Sequence, residues 1–157
     1  MEPISDGDKK FSNDIEEYGW NVTKVLEDES GPGFGYSTGL FKTFSHPEII
    51  IIGLKLDVIH SIINGIGKDV KSGKTFQSGS YYPGLIEKFD CFFTSVEKKF
   101  YPEYVGYARW YYKGDNFPLL QCVYPTIKGI YPWQKEWPKE IESIQPILSE
   151  IIGAKEI

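Results

Sequence analysis

Arginine is almost absent from this chain: of 17 basic residues, only Arg109 is an arginine. Duplex nucleic acid is read by basic faces with several guanidinium forks, so that partner is excluded. A phosphate site built on paired guanidinium groups is excluded for the same reason. Cysteine is scarce as well. Cys91 and Cys122 stand far apart with no zinc-ligand spacing, so both thiols are expected free and packed inside. His46 and His60 are the only histidines. A zinc site from His46, His60 and Glu48 lacks any spacing signature, and neither a metal nor a cofactor is expected. Long apolar runs are missing too. The longest, Ile49–Ile52, is strand-sized, which argues against a membrane span. No basic stretch followed by an apolar segment opens the chain, so a soluble, reducing, cytoplasmic setting is expected.

Aromatic residues are abundant, at 16% of 157 residues: 10 Phe, 11 Tyr and 4 Trp. Those rings must line a core, a pocket or an interface. Hydrophobic residues at 41% and charged residues at 25% are an ordinary globular balance for a single domain. Charge is unevenly spread. The first 30 residues hold nine acids against three lysines, and the rest of the chain is close to neutral. A partner drawn to that acidic segment would be basic.

Along the chain, residues 1–12 read as a loose acidic arm and 13–157 as one domain. Residues 13–18 allow a short helical turn. Trp20–Leu26 and Phe34–Phe41 alternate as strands around a Gly-Pro-Gly turn, which predicts a hairpin. His46-Pro47 breaks the chain ahead of an apolar strand over Glu48–Leu54. The apolar spacing from Val58 to Val70 predicts a helix over Asp57–Val70. Lys74–Tyr82 reads as strand and loop, and Phe89–Val96 as a strand. Pro102–Tyr112 reads as a helix with Pro in its first turn, Phe117–Tyr124 as a last strand, and the Pro-rich tail holds a short helix near Ile141–Ile152. Without βαβ regularity, the fold class is α+β: a single domain with a largely antiparallel sheet of five or six strands and two main helices.

Three segments carry a family resemblance. They are Gly35-Tyr36-Ser37-Thr38-Gly39-Leu40, then His46-Pro47-Glu48 running to Gly53-Leu54, and Leu120-Gln121-Cys122-Val123-Tyr124-Pro125 with Gly129-Ile130-Tyr131-Pro132-Trp133. In order and spacing the chain resembles the bacterial family catalogued as domain of unknown function 4262, from about Tyr18 to Trp133. Ser37 stands where the family has Thr, and Thr126 where it has Asp. The family brings no established activity. A weaker likeness runs to suppressor-of-fused-like domains, some of which resemble immunity proteins of toxin systems.

The candidate binding residues are Tyr36, Ser37, His46, Glu48, Gln121 and Trp133. His46 beside Glu48 has the makings of a base with its orienter, since histidine titrates near neutral pH and alternation sends residues 46 and 48 to one side. The structural alternative is a Pro47-fixed turn with His46 bonded to a carbonyl. Tyr36, Ser37 and Thr38 offer hydroxyls beside His46. Gly35-Tyr36-Ser37-Thr38-Gly39 matches a nucleophile elbow in letters, but a strand rather than a helix is expected to follow it. Gln121, a polar amide in an apolar strand, must find partners. Tyr104, Tyr107 and Tyr111 share a helix face, with Arg109 available to stack, and serve equally well as core or recognition surface. Trp133 and Trp137, in a proline-broken tail, are the rings least explained by packing.

These features lead to a non-catalytic recognition protein, with an immunity-like partner-binding role named first. The alternative is a nucleotide-like ligand binder, or a hydrolase using His46 with Glu48 or Ser37 in an aromatic-walled pocket. A homo-oligomer stays open.

Overall fold

A computed structural model describes residues 6–149. It holds one six-stranded sheet in the order β1-β2-β3-β6-β5-β4. The strands are β1 (Asn21–Val25), β2 (Phe34–Thr38), β3 (Glu48–Ile52), β4 (Ser80–Tyr82), β5 (Cys91–Ser95) and β6 (Leu119–Val123). Each half of the chain supplies an antiparallel three-stranded meander. The two meanders join where β3 runs parallel to β6, with Ile49 opposite Leu120. The sheet is mixed and mostly antiparallel, and the class is α+β.

The run of isoleucines in β3 is explained by this central place. Ile49 and Ile51 face one layer and Ile50 and Ile52 the other, all four fully buried. Burial of each contributes roughly 1.5–3 kcal/mol. On the first face lies α3 (Leu56–Lys71), whose Ile59, Ile62, Ile63, Ile66 and Val70 form the apolar stripe expected from their spacing. On the second lie α4 (Tyr101–Tyr104) and α5 (Gly106–Tyr112), with Tyr101, Val105, Ala108 and Leu148 packed on Ile50 and Ile52. Cys91 and Cys122 are free and buried. No described helix is long and apolar enough to cross a membrane.

Four segments differ from their sequence reading. In place of an arm through residue 12, α1 begins early (Asp6–Tyr18), and residues 1–5 lie outside the described residues. Only Phe11 and Ile15, four apart, mark its buried side. Phe11 packs on Tyr107, Trp110 and Tyr111 of α5. The second strand stops at Thr38 and gives way to a short helix, α2 (Leu40–Phe44), whose first N–H groups have a carboxylate to bind. The helix expected over Pro102–Tyr112 breaks at Val105, which turns out of helical geometry (φ -113°, ψ 53°) and is fully buried. In the tail only a 3₁₀ turn, Lys139–Ile141, forms; Glu142 to Ser149 is irregular, and the remainder of the expected helix lies outside the described residues.

Candidate functional site

Glu48 opens β3 with its side chain fully out of water. Its two oxygens take five donors. Oε1 accepts from the Ser37 hydroxyl at 2.7 Å and the Leu40 N–H at 3.2 Å. Oε2 accepts from Gly39 N–H at 2.8 Å, Phe41 N–H at 3.2 Å and the Tyr112 hydroxyl at 2.5 Å. Three of these are backbone groups at the start of α2, which a helix leaves without internal partners. Burial pushes the Glu48 carboxyl up, and its donors, Tyr112 and Ser37 foremost, pull against that shift. Burial and then the Glu48 charge push the Tyr112 phenol well up, so it stays a protonated donor.

Ser37 is spent at both ends, because its oxygen also accepts the Ile49 N–H at 2.9 Å. The segment is in fact strand, turn and helix, where a further strand was expected. A buried serine bonded to a carboxylate, with α2 only five residues long, is nonetheless a joint between segments and has no face open to a substrate. The Tyr36 hydroxyl accepts the Tyr107 N–H at 2.9 Å, near the start of α5. The Thr38 hydroxyl is buried without a partner.

His46 is buried and bonded on both ring nitrogens. Nε2 accepts the Phe76 N–H at 2.9 Å, which requires the neutral tautomer with its proton on Nδ1, donated to the Pro47 carbonyl at 2.8 Å. Burial lowers its pKa from 6.5, with the Pro47 bond opposing. His46 and Glu48 share no bond. Phe76 belongs to the layer under α3, whereas Tyr112 belongs to the opposite layer. Strand alternation does not extend to His46, which precedes β3.

Gln121 faces the tail. Its Nε2 donates to the Pro146 carbonyl and its Oε1 accepts the Leu148 N–H, both at 2.8 Å. Gln145 answers from the tail: Oε1 accepts the Tyr124 N–H at 3.1 Å and Nε2 donates to the Tyr124 carbonyl at 2.9 Å. Two side-chain amides thus act as rungs that bind an irregular segment along β6. Trp133 stacks on Tyr131 and meets Phe92 edge-on, with ring centroids 5.3 Å apart in both cases. Arg109 pairs with Asp115 at 2.6 Å and, among the described residues, stacks on no ring. Of the six candidate residues, the structure brings Ser37 and Glu48 together, while Tyr36, His46, Gln121 and Trp133 serve separate junctions.

The clamped tail creates something the sequence did not display. Passing over the carboxyl ends of the parallel pair β3 and β6, it closes a mainly apolar cleft of about 600 Å³. Its walls include Leu54, Tyr124, Ile130, Trp137 and Ile144. Gly53, at φ +97°, forms the near edge, and a Cβ there would overlap the Ile144 carbonyl oxygen. The indole N–H of Trp137 donates to the Ile141 carbonyl, which fixes the ring.

The β1–β2 turn reaches the same end of the sheet, since the Gly53 N–H bonds the Gly33 carbonyl at 2.9 Å. That turn carries Glu27, Asp28 and Glu29, all exposed. Leu26, 76% exposed, precedes them, and Ile127, 93% exposed, tips the loop after β6. Sequence reasoning missed Leu26 and Ile127. Ile127 carried a signal, an isolated apolar residue inside the turn-forming stretch Pro125–Gly129; Leu26 closes the strand expected over Trp20–Leu26 and carried none. Among the described residues, no group of three or more His, Cys, Asp and Glu side chains could hold a metal ion. No curated protein and no solved structure matches the chain. The model of one family does match, over residues 14–138, which span β1 to β6 and the walls of the cleft as far as Trp137: the chain belongs to the domain of unknown function family DUF4262.

Proposed function

We propose that this is a non-catalytic recognition protein, of the immunity type, that binds a partner protein through the sheet end where β3 and β6 finish. One observation carries the reading. The two most exposed large apolar side chains among the described residues, Leu26 and Ile127, share that end with the apolar cleft and with the acidic turn Glu27–Glu29. Apolar groups left in water next to a groove mark interaction sites more often than chance placement does. The acidic turn favours a basic partner and speeds its approach. The partner chemistry that fits is a basic rim around an apolar protrusion.

A hydrolase or ligand-binding role centred on His46 needs a free base or hydroxyl. The internal bonds of His46, Ser37 and Glu48 take up those groups.

The test is position-specific photo-crosslinking in cells, with the reactive side chain at residue 26, at 127, or at Asn116 on the opposite end of the sheet. The reading expects one basic protein captured at 26 and 127, not at 116. Capture should be lost when Glu27, Asp28 and Glu29 are changed to Lys. Equal capture at 116, capture of a second copy of this chain, or indifference to the charge reversal each reject it.

A further inference from the structure

A second cleft, of about 700 Å³, lies along the free edge of β1, between α1 and α3. Its lining is electrostatically at odds with the chain. The protein carries a net charge of -5, yet here four lysines face two carboxylates. One of those carboxylates, Asp14, is already held by Lys10 at 3.1 Å and by the Asn21 amide at 3.0 Å. Among the described residues, Lys24, Lys68, Lys71 and His60 have no acidic partner, and Glu17 is the one lining carboxylate without a cation.

Tyr18 and Trp20 are the aromatic lining of the cleft, and Trp20 is the anchored ring. Its indole N–H donates to Asn64 Oδ1 at 3.0 Å, so the ring is fixed and the Asn64 NH₂ has no partner among the described residues. Gly67 makes room for the ring on α3, as an added Cβ would lie 2.5 Å from it. The tool set is therefore an anchored ring, an amide donor and a group of unpaired ammonium groups. Lysine binds phosphate as a point charge without guanidinium geometry, so the lack of arginine is no obstacle here.

We propose that this cleft binds a small anionic ligand with a planar ring, of the nucleoside-phosphate class. The phosphates lie against Lys24, Lys68 and Lys71, and the base stacks at Trp20 with Asn64 donating to its edge. The site is separate from the sheet end assigned above, and neither depends on the other.

The test is isothermal titration calorimetry of the full chain with adenosine diphosphate and, separately, with inorganic pyrophosphate. The expected result is saturable binding of both, with the diphosphate nucleoside the tighter. The double variant Lys68→Glu with Lys71→Glu, on exposed positions, should weaken the nucleotide by about tenfold or more, or roughly 1.4 kcal/mol. Lys135→Glu with Lys139→Glu, in the tail, should leave it unchanged. Absence of saturable nucleotide binding overturns the proposal, as does equal affinity for pyrophosphate or loss of binding in the tail variant. Circular dichroism of each variant confirms that the fold is kept.

Discussion

Ser37 and Glu48 are joined by a buried hydrogen bond of 2.7 Å, and through it β2, α2, β3 and α5 meet at one carboxylate. A group that looks catalytic by residue type is here the acceptor around which four elements are assembled. Low dielectric strengthens each of its bonds and makes any unmade one costly.

Glu48→Gln replaces one acceptor oxygen with an NH₂ that faces N–H and O–H donors. The expected loss is about 2–4 kcal/mol, because buried donors are left unpaired. Tyr112→Phe removes one of the five donors, and with it the acceptor of the Lys42 N–H, and should cost about 1–2 kcal/mol. Urea unfolding followed by circular dichroism measures both. A Glu48→Gln midpoint equal to that of the wild type would show that the carboxylate does not hold the junction together.

His46 sets a pH dependence of stability. It is held neutral, and its pKa is lowered from 6.5 by burial. The unfolded chain therefore binds the proton more readily than the fold. The stability contribution is complete above pH 6.5 and is lost as pH falls through the lower, folded value. Protonation of Nε2 also removes the acceptor of the Phe76 N–H. The wild type should thus lose more stability than His46→Ala between neutral and mildly acidic pH, read as the change in urea midpoint. Parallel profiles for the two proteins exclude this role.

The parts legible in the sequence are those with a strong local period. The isoleucines of β3 and the stripe of α3 mark both elements almost to the residue. Helix α1 escaped because Phe11 and Ile15 alone show its buried side, and the partner of Phe11, the aromatic face of α5, lies some ninety residues on in the sequence. The break at Val105 escaped because the helical spacing runs on through it; the buried Val105 and the helix-weakening Gly106 beside it mark the place only once the fold is known. At the candidate site, the need of Gln121 for partners was readable from its apolar strand, and a carbonyl bond to His46 was one of its two readings, whereas the junction at Glu48 was not read. Most of those partners are backbone groups, which carry no residue type to read. The cleft is built by segments around Gly53, Tyr124 and Ile144, and only the sheet order brings them together.

Gln121→Leu keeps approximate size and removes both rungs to the tail. The Pro146 carbonyl and the Leu148 N–H then lose their partner. The sheet keeps its own ladder, so the effect should be local: faster hydrogen exchange at Leu148 and protease cleavage between Glu142 and Leu148, with global unfolding shifted by about 1–3 kcal/mol. Unchanged exchange at Leu148 would mean that the tail is held by packing alone.

Gly53→Ala tests how the cleft is closed. The residue sits at φ +97°, where a side chain is strained, and its added Cβ meets the Ile144 carbonyl, which belongs to the clamped backbone and cannot swing aside as a side chain would. The tail must lift before the substitution fits. Two consequences follow: a stability loss of about 1–3 kcal/mol from strain and displaced contacts, and a changed environment for Trp137, whose ring is tied to Ile141 on the same tail. A variant with Trp137 as its sole tryptophan reads the second effect as a red-shifted emission on Gly53→Ala. Because Leu26, Ile127 and the acidic turn are untouched, the same substitution separates the two parts of the proposed partner face. Capture at residue 127 should fall if the cleft receives the apolar protrusion, and should persist if the exposed rim alone makes the contact.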